Sequence, residues 1–195
     1  MKHEVTSYNT KRLLAEALKK AMEQKPFSKV TVSELIRECG INRKTFYYHF
    51  QDLYALLKWV LDEEAVQIVR HFDLLVDYEE AIRFVMSYVS ENRFIRSCTA
   101  DVAAWEEIKR FFYADFMAML RSVIEEAEKR SGVEFEMEFK EYAAKFYTEA
   151  LVGMLIDWAG KGDPNERERV IEYLTTIIGV TVESMLQEMQ KRKGI

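Results

Sequence analysis

The sequence has little of what disulfide-bonded, strand-rich or membrane-spanning proteins require. Its 195 residues include two cysteines, two prolines and seven glycines. Cys39 and Cys98 form neither a disulfide framework nor a paired metal-ligand spacing, and the scarcity of turn residues favours an all-α fold. No apolar run approaches the length of a membrane span, and the charged N-terminus lacks the apolar segment of a signal peptide. We therefore expect an all-helical cytoplasmic protein without membrane contact.

Sequence signatures of catalysis and of metal binding are absent too. None of the three histidines has a glutamate three positions before it, as a di-iron bundle requires. The chain has no His-Glu-x-x-His motif, phosphate-binding loop or nucleophile elbow. We expect no enzyme activity, no metal site and no cofactor.

Negative charge prevails overall, but it is unevenly distributed along the chain. The net charge is −5, yet residues 1–60 hold 11 Lys and Arg against 6 Asp and Glu, a local net of +5. The remainder holds 17 basic and 27 acidic residues, a net of −10. Such asymmetry suggests a basic nucleic-acid-binding segment attached to an acidic body.

Residues 31–50 carry the signals of two short helices joined by a tight turn. Thr31, with Glu34 three positions later, forms a capping box that starts the first helix. Gly40 provides a C-terminal stop, and Asn42 can cap the second helix. Two short helices joined across a glycine predict a helix-turn-helix, whose second helix can enter the major groove of DNA.

The second helix of this motif has two distinct sides. Phe46 and Phe50 are four residues apart, so both side chains should face inward. The other side presents side chains that can reach phosphates and base edges, namely Arg43, Lys44, Tyr47 and Tyr48.

The remaining chain reads as long amphipathic helices. Asp52 should cap a fourth helix that runs to about residue 73, with an apolar stripe that includes Ile68. The last two helices are predicted over 135–160 and 164–192. Gly153 and Gly179 lie within them, where glycine costs roughly 1 kcal/mol relative to alanine. Close helix approach in a four-helix dimer interface, a local bend and simple tolerance each account for these glycines.

Three segments together resemble a known family. Thr-Lys-Arg-Leu-Leu-Ala-Glu-Ala-Leu from residue 10, Phe-Ser-Lys-Val-Thr-Val-Ser-Glu-Leu-Ile from residue 27, and residues 40–50 follow the order and spacing of the TetR family's DNA-binding domain. The resemblance implies an all-α protein of about nine helices. It implies a helix-turn-helix domain over 7–52 and an effector-binding and dimerisation domain over 53–195.

The resemblance also assigns DNA-contacting positions at the two helix starts and along the recognition helix. They are Thr31, Ser33, Asn42, Arg43, Lys44, Thr45, Tyr47, Tyr48 and His49. One position departs from the family, since Leu53 occupies a slot where many members have a lysine.

For the C-terminal domain, the resemblance implies an input but does not identify it. Residues 50–59 and the turn at 25–27 are similar to dihydroxyacetone kinase regulators of the DhaS type, a branch in which a kinase-like protein partner can replace a small-molecule effector. Candidate pocket residues, with arginines that favour an acidic ligand, are His71, Tyr88, Arg93, Arg96, Trp105, Tyr113, Tyr147 and Trp158. For each of these residues taken singly, aromatic core or solvated charge is the favoured reading.

The expected function is transcriptional regulation. We expect a homodimer, joined through the last two helices, that binds a pseudo-palindromic double-stranded DNA operator, usually as a repressor in this family. The alternative is a TetR-shaped coregulator that acts mainly through a protein partner such as a kinase-like subunit.

Overall fold

The computed structural model describes residues 2–99, 102–132, 134–161 and 163–193, and every regular element in these ranges is helical. This confirms the predicted all-α fold. The chain forms two compact units: unit 1 is Met1–Gln67 with Glu91–Phe111, and unit 2 is Ile68–Ser90 with Phe112–Ile195. The functional domain boundary between residues 52 and 53 stays a prediction. Within the described ranges, no helix has the length and apolarity needed to cross a membrane.

The helices follow one another in chain order with short connections. Their bounds are α1 Lys2–Gln24, α2 Val32–Cys39, α3 Arg43–His49, α4 Leu53–Leu61, α5 Gln67–Val69, α6 Tyr78–Glu91, α7 Arg93–Thr99, α8 Val102–Ser131, α9 Met137–Lys161 and α10 Arg167–Lys193. Single 3-10 turns lie at Phe27–Lys29 and Pro164–Glu166, and a π-helical segment occupies Asp62–Val66.

The core of unit 1 is built around α1, which packs against α2, α4 and α7. Leu14 and Leu18 of α1, Leu35 of α2 and Phe46 of α3 are completely buried. Burying each of these large apolar side chains stabilises the folded state by roughly 1.5–3 kcal/mol. The recognition helix α3, only seven residues long, is therefore held by its apolar side and not by its intrinsic helicity.

The π-helical segment joins α4 to α5 in one continuous helical stretch that ends at Val69, not near residue 73 as the apolar stripe predicts. The Gln67 N–H donates a hydrogen bond to the carbonyl of Asp62, five residues earlier. A turn closed in this way contains one residue more than an α-helical turn. The extra residue rotates the later positions, so Ala65 and Val66 are buried while Ile68 is 40% exposed. The predicted inward position of Ile68 is therefore wrong.

Unit 2 contains a buried apolar cluster and a surface ion pair between α8 and the segment that precedes α6. Ile124 of α8, Phe135, and Ala143 and Ala144 of α9 form a buried cluster. The Arg130 guanidinium of α8 lies 2.7 Å from the carboxylate of Asp73, and this pairing holds the pKa of Asp73 below its usual value. Both partners are more than 40% exposed, so the pair adds little stability.

Candidate nucleic-acid interface and regulatory cavity

The helix-turn-helix geometry depends on two sequence-predicted features of α2. The Thr31 hydroxyl accepts a hydrogen bond from the Glu34 backbone N–H at 3.3 Å. At the other end Gly40 has φ 64°, a left-handed conformation that glycine adopts without a steric penalty. The Ile41 N–H then donates to the Ile36 carbonyl at 3.0 Å, closing the helix end. The local sequence thus fixes where α2 begins and ends.

Asn42 starts the recognition helix α3 with a side-chain cap. Its Oδ1 accepts from the Thr45 N–H at 2.9 Å and from the Thr45 hydroxyl at 3.1 Å. Because a seven-residue helix has few internal hydrogen bonds, this cap satisfies a sizeable share of its free donors. Asn42 thus fixes the side chain of Thr45, a predicted DNA-contacting residue.

We expect Asn42→Ala to lower the free energy of unfolding by about 1 kcal/mol, because the cap to Thr45 is lost. Asn42→Asp is the matched control: it keeps the capping oxygen and should retain wild-type stability in urea unfolding. The added carboxylate should nevertheless weaken DNA binding by repelling phosphates. Equal destabilisation by both substitutions would show that the cap is not what stabilises α3.

Arg43 lies between two other predicted DNA-contacting residues. Its guanidinium carbon is 5.7 Å from the centre of the Tyr47 ring, and its Nη atoms are 3.5 Å from Ser33 Oγ and from Tyr47 Oη. All three side chains are exposed. They form one cluster that joins the start of α2 to α3, and a guanidinium held in this way retains donors for a phosphate or a base edge.

Beside this cluster, α3 presents a second set of exposed groups. Lys44 is exposed and Tyr48 is 71% exposed, although both are on the same helix as the fully buried Phe46. The side chains that point outward are a cation and a phenol, which suit the negative and hydrogen-bonding surface of duplex DNA.

His49 lies at the end of α3, half-buried, with Ser7 Oγ 3.5 Å from its Nδ1. Burial, and then the positive charge of Lys11, lower its pKa. Its imidazole is therefore neutral near pH 7 and offers a hydrogen bond in place of a charge. Because the folded pKa is lowered, the stability from this burial is present above about pH 6.5 and is lost as pH falls.

Lys11 of α1 approaches the C-terminal end of α3. Its Nζ lies 5.9 Å from the ring centre of Phe50 and 5.7 Å from that of Trp59. Its approach to the C-terminal end of α3 depends on how α1 and α4 pack, which no local signal encodes.

Unit 2 contains a cavity of about 450 Å³. Tyr147, one of the candidate pocket residues, lines this cavity. The other pocket candidates in unit 2 do not line it: His71 is exposed, and Tyr88, Tyr113 and Trp158 are half-buried elsewhere. Arg93 and Trp105 belong to unit 1, and the Arg96 side chain lies outside the described residues.

Tyr78 and Gly179 both line the cavity and lie close together, and the sequence interpretation named neither as a pocket residue. A Cβ on Gly179 of α10 would lie 2.7 Å from the hydroxyl of Tyr78 of α6, closer than real Cβ contacts come. Gly179 therefore allows the Tyr78 ring to approach the backbone of α10. Gly153 differs, because no atom of the described residues lies within 4 Å of a Cβ placed there. The two mid-helix glycines thus have unlike surroundings.

Solved structures and curated relatives share this fold and sequence pattern. The dihydroxyacetone kinase operon activator DhaS superposes with a TM-score of 0.65 at 20% identity, covering 88% of this chain and 97% of that one. Reduced NemR of E. coli gives 0.50 at 14% identity, over 87% and 97%. The curated protein "HTH-type dhaKLM operon transcriptional activator DhaS" from Lactococcus lactis subsp. lactis (strain IL1403) is 20% identical over 158 residues, 81% of this chain and 83% of the relative. These matches support the predicted DhaS-like branch.

Two family models together cover most of the chain. The model described as "Bacterial regulatory proteins, tetR family" matches residues 14–59, which include the helix-turn-helix. The model described as "Transcriptional regulator C-terminal region" matches residues 77–179, more than half of the chain. With the capped helix-turn-helix and the helical C-terminal region, these matches confirm the resemblance found in the sequence: the chain belongs to the TetR family and is a DNA-binding transcriptional regulator.

Proposed function

We propose that this regulator binds a pseudo-palindromic operator in the bacterial cytoplasm as a homodimer, with one α3 helix of each subunit in the major groove. The observation that carries the proposal is the exposed cluster of Arg43, Ser33 and Tyr47 above a completely buried Phe46. Buried packing fixes the helix, so its polar side chains can be presented to DNA at little further entropic cost.

The roles divide by position. Thr31, Ser33, Tyr47 and His49 contact phosphates, where hydroxyls and a neutral imidazole can donate hydrogen bonds. The outward side chains along α3, with Asn42 setting its start, contact both base edges and the neighbouring phosphates; these are Arg43, Lys44, Thr45 and Tyr48. Leu53 begins α4 without a donor, so positive charge on Arg43, Lys44 and Lys11 carries more of the affinity than in family members with a lysine there.

Lys44→Ala should flatten the salt dependence of DNA binding by about one unit in the slope of log affinity against log salt, because one phosphate-neutralising cation is lost. The measurement is a salt titration by fluorescence anisotropy, on a duplex recovered by selection from random sequence.

Lys20→Ala provides the matched control for the salt titration. It removes the same charge from an exposed lysine of α1, which is paired with Glu38 at 2.6 Å, and should leave the slope unchanged. If both variants keep the wild-type slope, α3 does not face phosphate through Lys44.

Dimerisation through α9 and α10 is supported by an exposed apolar face on both helices. Tyr142 and Phe146 of α9 are 67% and 66% exposed, and Tyr173, Ile177 and Val180 of α10 are each more than half exposed. These positions recur at intervals of three and four residues, so each set lies on one side of its helix. Exposed apolar faces of this kind mark a protein interface, and two copies can bury them as a four-helix bundle.

The sign of regulation and its input complete the proposal. We propose repression, the family's usual mode, although the relative DhaS is named as an activator. A reporter gene behind the selected operator decides this point, since deleting a repressor raises expression and deleting an activator lowers it. The input is a ligand or protein partner that binds unit 2 and prefers one DNA-binding state of the dimer over the other.

A second candidate function is a coregulator that acts mainly through a protein partner such as a kinase-like subunit. The similarity to DhaS, together with the apolar face on α9 and α10, favours it. The salt titration separates the two candidates: binding that is weak and insensitive to salt with every selected duplex supports the coregulator. Neither candidate function includes enzyme activity.

A further inference from the structure

The cavity in unit 2 is lined almost entirely by hydrocarbon. Val85, Leu120, Val123, Leu151 and Leu155 are typical of its wall, and none of the described lining residues is Asp, Glu, Lys, Arg or His. Its volume of about 450 Å³ falls within the roughly 300–1,000 Å³ of small-molecule sites. The cavity is therefore large enough for a ligand, but it offers no countercharge.

Two phenol groups supply polar atoms in this wall, and their hydrogen bonding differs. The Tyr147 hydroxyl donates to Thr181 Oγ1 at 3.1 Å, and the Thr181 hydroxyl in turn donates to the Ile177 carbonyl at 2.7 Å. The donor of Tyr147 is thus already used. Among the described residues, no hydrogen-bond partner faces the hydroxyl of Tyr78, which packs against the backbone at Gly179. Tyr78 therefore has a donor available for a ligand.

We infer that the cavity binds an uncharged, largely apolar small molecule whose polar group accepts a hydrogen bond from Tyr78. The inference rests on the proposed regulatory role of unit 2 and names the ligand class for it. An acidic ligand, which the candidate arginines favoured, would leave its carboxylate without a partner here. On hydrocarbon chains of equal length, burying an unpaired carboxylate costs far more free energy than burying a neutral hydroxyl.

The test compares decanol with decanoate, which share a ten-carbon chain and differ in the charge of the end group. Titration calorimetry on the full chain at pH 8, without DNA, should show decanol binding at least about 100-fold more tightly than decanoate. Equal or tighter binding of decanoate, or no binding of decanol, overturns the inference.

A hydroxyl deletion tests the role of Tyr78 directly. Tyr78→Phe should weaken decanol binding about 5-fold, the usual net effect of one lost hydrogen bond. Tyr113→Phe deletes a phenol hydroxyl of the same unit outside the cavity and should leave decanol affinity unchanged. Thermal unfolding of each variant verifies folding, and the wild-type comparison of the two probes stands without either variant.

DNA binding is measured separately, so failure of the ligand class can be told from failure of the function. If the protein binds its selected duplex with a steep salt slope but does not prefer decanol, only the proposed ligand class is wrong. If the protein prefers decanol but binds no duplex, the proposed ligand class stands and the proposed DNA-binding function is wrong.

Discussion

Replacing Phe46 with alanine should lower the free energy of unfolding by about 3–5 kcal/mol and abolish operator binding. The Phe46 ring is fully buried and lies 5.3 Å from the ring centre of Tyr47 and 6.2 Å from that of Phe50. Its removal leaves a cavity beneath a helix of only seven residues, which cannot persist without that packing. Urea unfolding followed by circular dichroism measures the loss.

Tyr48→Ala is the matched control on the same helix, because Tyr48 is 71% exposed. Its unfolding free energy should change by less than about 0.5 kcal/mol. Operator affinity should still fall about 10-fold, as expected when one base-edge contact is lost. The pair separates folding from DNA reading, and a Phe46→Ala protein as stable as wild type would contradict the packing of α3 described above.

Phe146→Glu should convert the dimer to a monomer at micromolar concentration, raising the dimer dissociation constant at least about 100-fold. The substitution removes an aromatic anchor from the middle of the proposed interface and places an unpaired carboxylate there. Sedimentation velocity measures the change. Operator affinity should fall with it, because one α3 helix alone contacts half of a palindromic site.

The control for the dimer experiment is Ser122→Glu, which adds one negative charge at an exposed position of α8. It should sediment as the wild-type protein does, because a solvated carboxylate outside the interface costs little. A Phe146→Glu protein that remains dimeric would move the proposed interface away from α9 and α10.

Helix starts could be predicted from the sequence because capping is a local interaction. Thr31, Asn42 and Asp52 each accept a hydrogen bond from a backbone N–H three residues later, as expected from their types and spacing. The inward position of Phe46 and Phe50 followed from their four-residue separation in the same way. These interactions span a single turn, so neighbouring residues suffice to determine them.

Contacts between distant segments could not be predicted in this way. Lys11 is near the end of α3 only because α1 crosses the unit, and Tyr78 approaches Gly179 across a separation of about one hundred residues. The sequence showed aromatic and basic residues in the C-terminal half, but their side-chain directions depend on how the helices pack. The candidate pocket residues chosen from the sequence therefore include Tyr147 but none of the aliphatic residues that line most of the cavity.

The π-helical segment Asp62–Val66 affects how this chain can be compared with its relatives. An α-helix turns about 100° per residue, so one additional residue in a turn shifts every later side chain by about that angle. A relative that lacks this turn would need a one-residue gap near residue 65 for its buried positions to coincide. Without that gap, Glu64, which here pairs with Lys19 at 2.6 Å, would be matched to a core position of the relative. Residue-by-residue transfer of roles beyond α4 thus requires a gapped alignment, even between proteins of identical fold.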